Sequence, residues 1–272
     1  MVNLNEYVRR KESLIRRMLR AVAWVFQQFI VPGMSLTQWR QMLAVLYRVL
    51  VPFREEGTEL ARQFFDTNRE EQTGLTTRHN IYKDDHYPFE WLAQDMRPTY
   101  VQFQQTKNVE GAINDAVNRA IKVVEDAQRH TLIQGVSDDF SRPIRGWARF
   151  DPKPPTCAFC TMMISRGPVY STQTTAAFKG SKELAAKLWQ ENDTDAMNQM
   201  MHKWHPGCTC VAVPVYKFSD YPSEAQELEA FEIYKEARKR AKDKTYKGIL
   251  LEMRKELRGS KEEDETTLTS AA

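Results

Sequence analysis

Apolar positions recur at helical intervals through the first half of the chain. In "LNEYVRRKESLIRRMLRAVAWVFQQFI", Leu4, Tyr7, Val8, Leu14, Ile15, Met18 and Val22 fall mostly three or four residues apart, which predicts a helix over 3–30. Its basic residues, Arg9, Arg10, Lys11, Arg16, Arg17 and Arg20, are expected largely off that face. Such a row suits a DNA- or partner-binding arm, but a solvated helix face is its commoner outcome. Pro32 and Gly33 end this helix, and Ser35 is placed to cap the next, "SLTQWRQMLAVLYRVLVPF", which Pro52 should kink or break. The pattern resumes in "REEGTELARQFFDTNREE", and the polar "QTGLTTRHNIYKDDHYP" reads as an exposed loop. Two more helices are predicted at about 88–106 and 108–134. The second starts from an Asn108 cap, buries Val109, Ile113, Ala116, Val117, Ala120, Ile121 and Val124, and stops at Gly135.

The texture changes at "VSDDFSRP", which is rich in cap and turn residues. "IRGWARFDP" alternates and predicts a strand, as does "CTCVAVPVY". Between them lie the compact, turn-rich "CAFCTMMISRGPVY" and two short predicted helices, "SKELAAKLWQEN" and "DTDAMNQMMHKW". From about 222 the chain reads as charged helix, and "SKEEDETTLTSAA" as a polar, disordered tail. The expected class is therefore α+β, mainly α. A helical region at 1–140 precedes a small Cys/His-containing α/β domain at 141–218, followed by a charged helix and tail at 219–272. No internal repeat is apparent.

Composition narrows the function less than the pattern does. A chain of 272 residues makes one large domain or two smaller ones. Its 42% hydrophobic and 28% charged residues are ordinary for a globular protein, and a net charge of +3 is too mild to argue nucleic-acid binding. The longest apolar run is broken by Gln27 and Gln28 and ends at Pro32–Gly33, short of the ~18 residues a membrane span needs. No membrane partner is expected. "RRMLRAVAWVF" loosely imitates a secretory signal but begins too late and lacks a small-residue cleavage site, so an amphipathic helix is expected. The chain is thereby placed in a reducing cytoplasm, where stable disulfides are rare.

The composition includes four cysteines, confined to "CAFC" and "HPGCTC". Cys157 and Cys160 have the C-x2-C spacing that aims two thiolates at one tetrahedral ion, while Cys208 and Cys210, with His205 nearby, supply a second pair of ligands. Structural zinc is the leading reading, because five candidates suffice to close a four-ligand shell. A redox dithiol is the next: its spacing fits "CAFC", but the stretch does not follow an evident strand and open a helix in a βαβ unit. Four buried, unligated thiols are the bland alternative, and clustering argues against it. The spacing leaves zinc and iron, and the choice of fourth ligand, open. His202 is expected on the surface or in a core. Ser165 lacks a nucleophile-elbow context and reads as a turn-capping hydroxyl. Arg145, Arg149 and Asp151 flank Trp147 and suit either a polar site or a strand-edge ion pair. Gly167-Pro168 fits a sharp turn.

Taken together, "WARFDP" at 147–152, "CAFCTMMISRGPVY" at 157–170 and "WHPGCTCVAVPV" at 204–215 resemble the MuF-like minor capsid proteins of tailed bacteriophages. The branch in actinobacteriophages, often labelled capsid maturation protease, is the most similar. The resemblance is specific over about 145–216 and only architectural over the helical half. It implies a head-morphogenesis protein made in the host cytoplasm and carried in the virion, in the head interior or near the portal vertex. The implied partners are portal protein, scaffold or major capsid protein, and packaged DNA. By position, Cys157, Cys160, His205, Cys208 and Cys210 match the family's Cys/His signature. No nucleophile–base pair supports peptide hydrolysis, and a hydrolytic zinc needs an open position. A maturation protease using a residue such as His202 or Asp151 is the first rival. A DNA-binding protein using 9–20 and "KEARKRAKDK" is the second.

Overall fold

The computed structural model describes residues 1–76, 87–139, 144–153, 157–168, 204, 207–217, 219 and 221–270, the side chains of 259–270 excepted. The chain divides into two compact units, one of 1–139 with 172–208 and the other of 140–171 with 209–272. The fold is mainly helical, with a small two-stranded antiparallel sheet.

Among the described residues, the first unit holds four helices: α1 (Leu4–Phe29), α2 (Leu36–Thr73), α3 (Phe89–Thr106) and α4 (Val109–Asp138). Their ends follow from local chemistry. Asn3 caps α1 by accepting from the Glu6 N–H, and Asn108 caps α4 by accepting from the Gly111 N–H at 2.9 Å. Ser35 and Gln38 form a reciprocal capping box at the start of α2, and Gly74 ends that helix in the left-handed region at φ 75°. Pro52 neither ends nor divides α2, contrary to the expectation of a break. It lies on the exposed face, as does Arg48 four residues before it. The missing backbone bond therefore faces water, while Leu46, Leu50 and Arg54 continue the buried stripe on the other side.

Helix α4 also runs past its expected stop. Gly135 lies within it, and a Cβ there would come within 2.7 Å of the Phe65 ring. The glycine is a close-approach residue between α2 and α4, not a C-cap. Ala112, Ala116 and Ala120 on α4 are similarly buried and small. They join Met18, Val22 and Phe26 of α1, Trp39, Met42 and Leu46 of α2, and Leu92, Met96 and Phe103 of α3 in one core. Each fully buried large apolar side chain contributes about 1.5–3 kcal/mol. Lys11 departs from the expected pattern. It lies on the buried stripe of α1, between Tyr7 and Leu14, whereas Arg9, Arg10, Arg16, Arg17 and Arg20 are exposed.

In the second unit, β1 (Gly146–Phe150) pairs antiparallel with β2 (Val211–Val215), setting Trp147 opposite Pro214 and Arg149 opposite Ala212. Both predicted strands are present. The stretch expected to be turn-rich contains a helix, α5 (Ala158–Ile164). Helices α6 (Glu224–Arg240) and α7 (Tyr246–Ser270) pack with α5 around Ala158, Met162, Ala237, Ile249 and Met253. Helix α7 takes in most of the polar stretch expected to be disordered. The two short helices expected between 181 and 204 fall outside the described residues, apart from Trp204.

Replacing Gly135 by Ala should overpack the α2–α4 contact and lower unfolding stability by about 1–3 kcal/mol. Urea unfolding measures it, and an unchanged midpoint would contradict the close approach.

Candidate metal centre

The cysteines are placed by two short pieces of backbone. Cys157 is the N-cap of α5, with extended backbone, and its Sγ accepts from the Cys160 N–H at 3.4 Å. The C-x2-C spacing thus spans a helix start and carries Cys160 into the first turn. The second pair leads into β2. Gly207 turns the chain at φ 80°, a conformation that favours glycine, and Cys208 and Cys210 follow immediately before Val211. Residues two apart on an extended segment share a face, so both thiols can project the same way.

The Sγ atoms of Cys160, Cys208 and Cys210 lie within 4.8 Å of one another, and all three residues are buried. Zn–S bonds of about 2.3 Å in a tetrahedral shell place sulfurs about 3.8 Å apart, so small side-chain adjustments suffice to ligate one ion. Cys157 is exposed and lies outside this trio, and no disulfide joins the four residues. His205 and His202 fall outside the described residues. Among the described residues, the structure thus brings together three of the four expected cysteine ligands. Cys157 opens a helix that follows β1, but β1 and β2 are antiparallel, so "CAFC" does not sit in a βαβ unit.

Hydrogen bonds within each unit fix the flanks of the second pair. In the second unit, the buried Asp151 carboxylate accepts from the Thr209 hydroxyl at 2.7 Å and from the Lys153 N–H at 3.0 Å. Gln226 of α6 clamps the Asp151 backbone, accepting from its N–H at 2.7 Å and donating to its carbonyl at 2.8 Å. Asp151 is therefore a brace for the residue between Cys208 and Cys210. Arg149 is buried, with its guanidinium 5.9 Å from the Phe159 ring centre between the first two cysteines. Ser165 does act as a turn hydroxyl, donating to the Met162 carbonyl at 2.9 Å. Gly167 adopts φ 62°, as the expected turn requires.

In the first unit, Arg129 of α4 donates to the Cys208 carbonyl at 2.6 Å, and its guanidinium lies 4.4 Å from the Trp204 ring centre. The same guanidinium donates to Glu125 at 2.8 Å and to Asp126 at 3.0 Å. Lys11 of α1 pairs with the other oxygen of Glu125 at 2.8 Å. Burial opposes the charge on Arg129, but Glu125, Cys208 and Asp126 outweigh it and hold its pKa above the ordinary value. Burial likewise pushes Asp126 up, yet Lys122, Arg129 and His130 hold it below the usual carboxylate range. Tyr7, raised chiefly by burial, stays protonated and donates to Gln128 at 2.9 Å.

Arg129, Glu125 and Lys11 were not singled out from the sequence. Lys11 did carry a signal, because it stands four residues after Tyr7 and three before Leu14 on the apolar stripe. Glu125 and Arg129 have the spacing of an ordinary surface ion pair, and nothing local marks them as buried.

The model of the VG15 protein family matches residues 2–237, and the chain belongs to that family. It is 29% identical over 220 residues to the Gene 15 protein of Mycobacterium phage D29, covering 78% of this chain and 80% of that one. It is 28% identical over 230 residues to the Gene 15 protein of Mycobacterium phage L5, covering 79% and 78%. These relatives place it among bacteriophage proteins. No solved structure matches it. Among the described residues, no helix is long and apolar enough to cross a membrane.

The Asp151 brace makes a direct prediction. Asp151→Asn and Thr209→Val should each destabilise the fold by about 1–3 kcal/mol. In a double-mutant cycle they should couple by about 0.5–3 kcal/mol. Additive effects in urea unfolding would remove the brace.

Proposed function

We propose that this chain is a minor capsid protein of the phage head, a MuF-like assembly component held at or near the portal vertex, with a structural zinc at its thiol cluster. The observation that carries the reading is the convergence of Cys160, Cys208 and Cys210, drawn from the two motifs that resemble MuF-like proteins, in a chain of a phage family. Cys157 or His205 supplies the fourth ligand. A filled shell stabilises the fold and leaves no position for a reacting water. The helical unit is the docking element for portal, scaffold or major capsid protein. Its exposed Trp24 and Leu36, each 56% accessible, are apolar positions of the kind that interfaces use.

Two rival readings draw less support. For a maturation protease, Asp151 would have to act on substrate, but its carboxylate is already engaged by Thr209 and the Lys153 N–H. For a DNA-binding protein, the basic rows would have to present their charge freely. On α1, Arg9 and Arg10 pair with Glu6, and Arg17 pairs with Glu56. On α6, Lys235 pairs with Glu232, Lys239 with Glu236, and Arg240 with Glu256. These carboxylates offset the local positive potential.

Intact-mass proteomics of purified virions tests the function. The chain should be present at low copy. Its absence from virions, with cleaved scaffold or capsid protein present, would favour a maturation factor that acts and leaves. Zinc content tests the site. Cys160→Ser, Cys208→Ser or Cys210→Ser should each lower zinc from about one ion per chain to well below it. Unchanged zinc in these variants would exclude the cluster as the site.

A further inference from the structure

In the first unit, the buried ion network reaches the Cys208 carbonyl through Arg129. Arg129 has a planar guanidinium with five N–H donors. Three acceptors and one aromatic face fix it here: Glu125, Asp126, the Cys208 carbonyl and the Trp204 ring. Only an arginine presents such a rigid fork, since a lysine ammonium is a flexible point charge. Glu125 is itself held by Lys11 of α1 at 2.8 Å, so the fork is oriented from two helices. The carbonyl it grips belongs to Cys208, whose thiol lies within 4.8 Å of those of Cys160 and Cys210.

We propose that Arg129 is the positioning residue of Cys208: by holding the Cys208 carbonyl and the Trp204 ring it sets the backbone from which the Cys208 thiol projects. A carbonyl bonded at 2.6 Å to a guanidinium fixed on three other sides cannot rotate freely, and the peptide plane at Cys208 is fixed with it. The backbone at Cys208 therefore depends on the α1–α4 ion pair, far away in sequence. The arrangement has the form of an outer-shell contact that orients a ligand through its backbone. The positioning itself is a property of the metal-free chain. Its consequence for metal affinity rests on the zinc reading given above.

Arg129→Lys separates positioning from bulk stability, because it keeps a positive charge beside Glu125 and Asp126 and removes the fork. The full-length chain, stripped of metal, is treated with iodoacetamide and the modified cysteines are counted by mass spectrometry. In Arg129→Lys, Cys208 should be alkylated about tenfold faster than in the parent, while far-ultraviolet circular dichroism stays the same. The zinc affinity of the same variant should fall by about 10- to 100-fold. Arg119→Gln removes an ion pair with Asp115 elsewhere on α4 and should change neither.

An unchanged Cys208 rate in a folded Arg129→Lys chain overturns the proposal, whatever the zinc result. Faster alkylation in Arg129→Lys, together with a parent chain that binds no zinc, would uphold the positioning and sink the zinc reading alone. If Arg129→Lys does not fold, Trp204→Leu decides, because it removes the ring against the guanidinium and leaves the buried ions in place. It too should speed Cys208 alkylation, and an unchanged rate overturns the proposal.

Discussion

The buried ion network of Lys11, Glu125 and Arg129 is the constraint on which the helical unit turns. Taking three charged groups out of water costs several kcal/mol each, and mutual attraction repays that only in good geometry. The geometry here is good: both Glu125 oxygens are used, each at 2.8 Å, by partners on α1 and α4. Such a network adds little net stability compared with an apolar substitute, but it penalises wrong registers of α1 against α4 severely. A shift of one residue would leave a charge buried without a partner. The Ala and Gly positions of α4 set how closely the helices approach, and the ions set where along one another they stop.

The same arrangement explains why Arg129 is held so firmly. An arginine on a solvated helix face loses its orientation among many rotamers. This one is bonded to two carboxylates and lies against an indole, so the nitrogen that donates to Cys208 is held in place. In the second unit, Asp151 performs the matching task for Thr209. Arg129 thus holds the Cys208 carbonyl in the first unit, and Asp151 holds the Thr209 hydroxyl in the second. For a small fold with a two-stranded sheet, a metal gathered at the thiols would offset a limited core.

Much of this was legible in the chain. The apolar stripe of α1, the Ser35 and Asn108 caps, and both strands were written in local pattern, because caps and periodicity act over a few residues. Where the reading failed, a tertiary partner decided. Gly135 reads as a stop until Phe65 of another helix is placed against it, and Pro52 reads as a break until its exposed side is known. Lys11 reads as one of a row of surface bases until Glu125 is found opposite it. The cysteine spacing pointed to a shared site, but it did not tell which thiols meet. Cys160 is carried inward by the first turn of α5, whereas Cys157, used as the cap, remains exposed.

X-ray absorption at the zinc edge on purified, zinc-loaded protein tests the clasp most directly, because it counts the sulfur atoms around the ion. The expected result is three or four sulfurs at about 2.3 Å, with any remaining ligand a nitrogen. A shell of oxygen and nitrogen alone, or a chain that retains no zinc after gel filtration, would contradict the clasp and leave Cys160, Cys208 and Cys210 as thiols of the core.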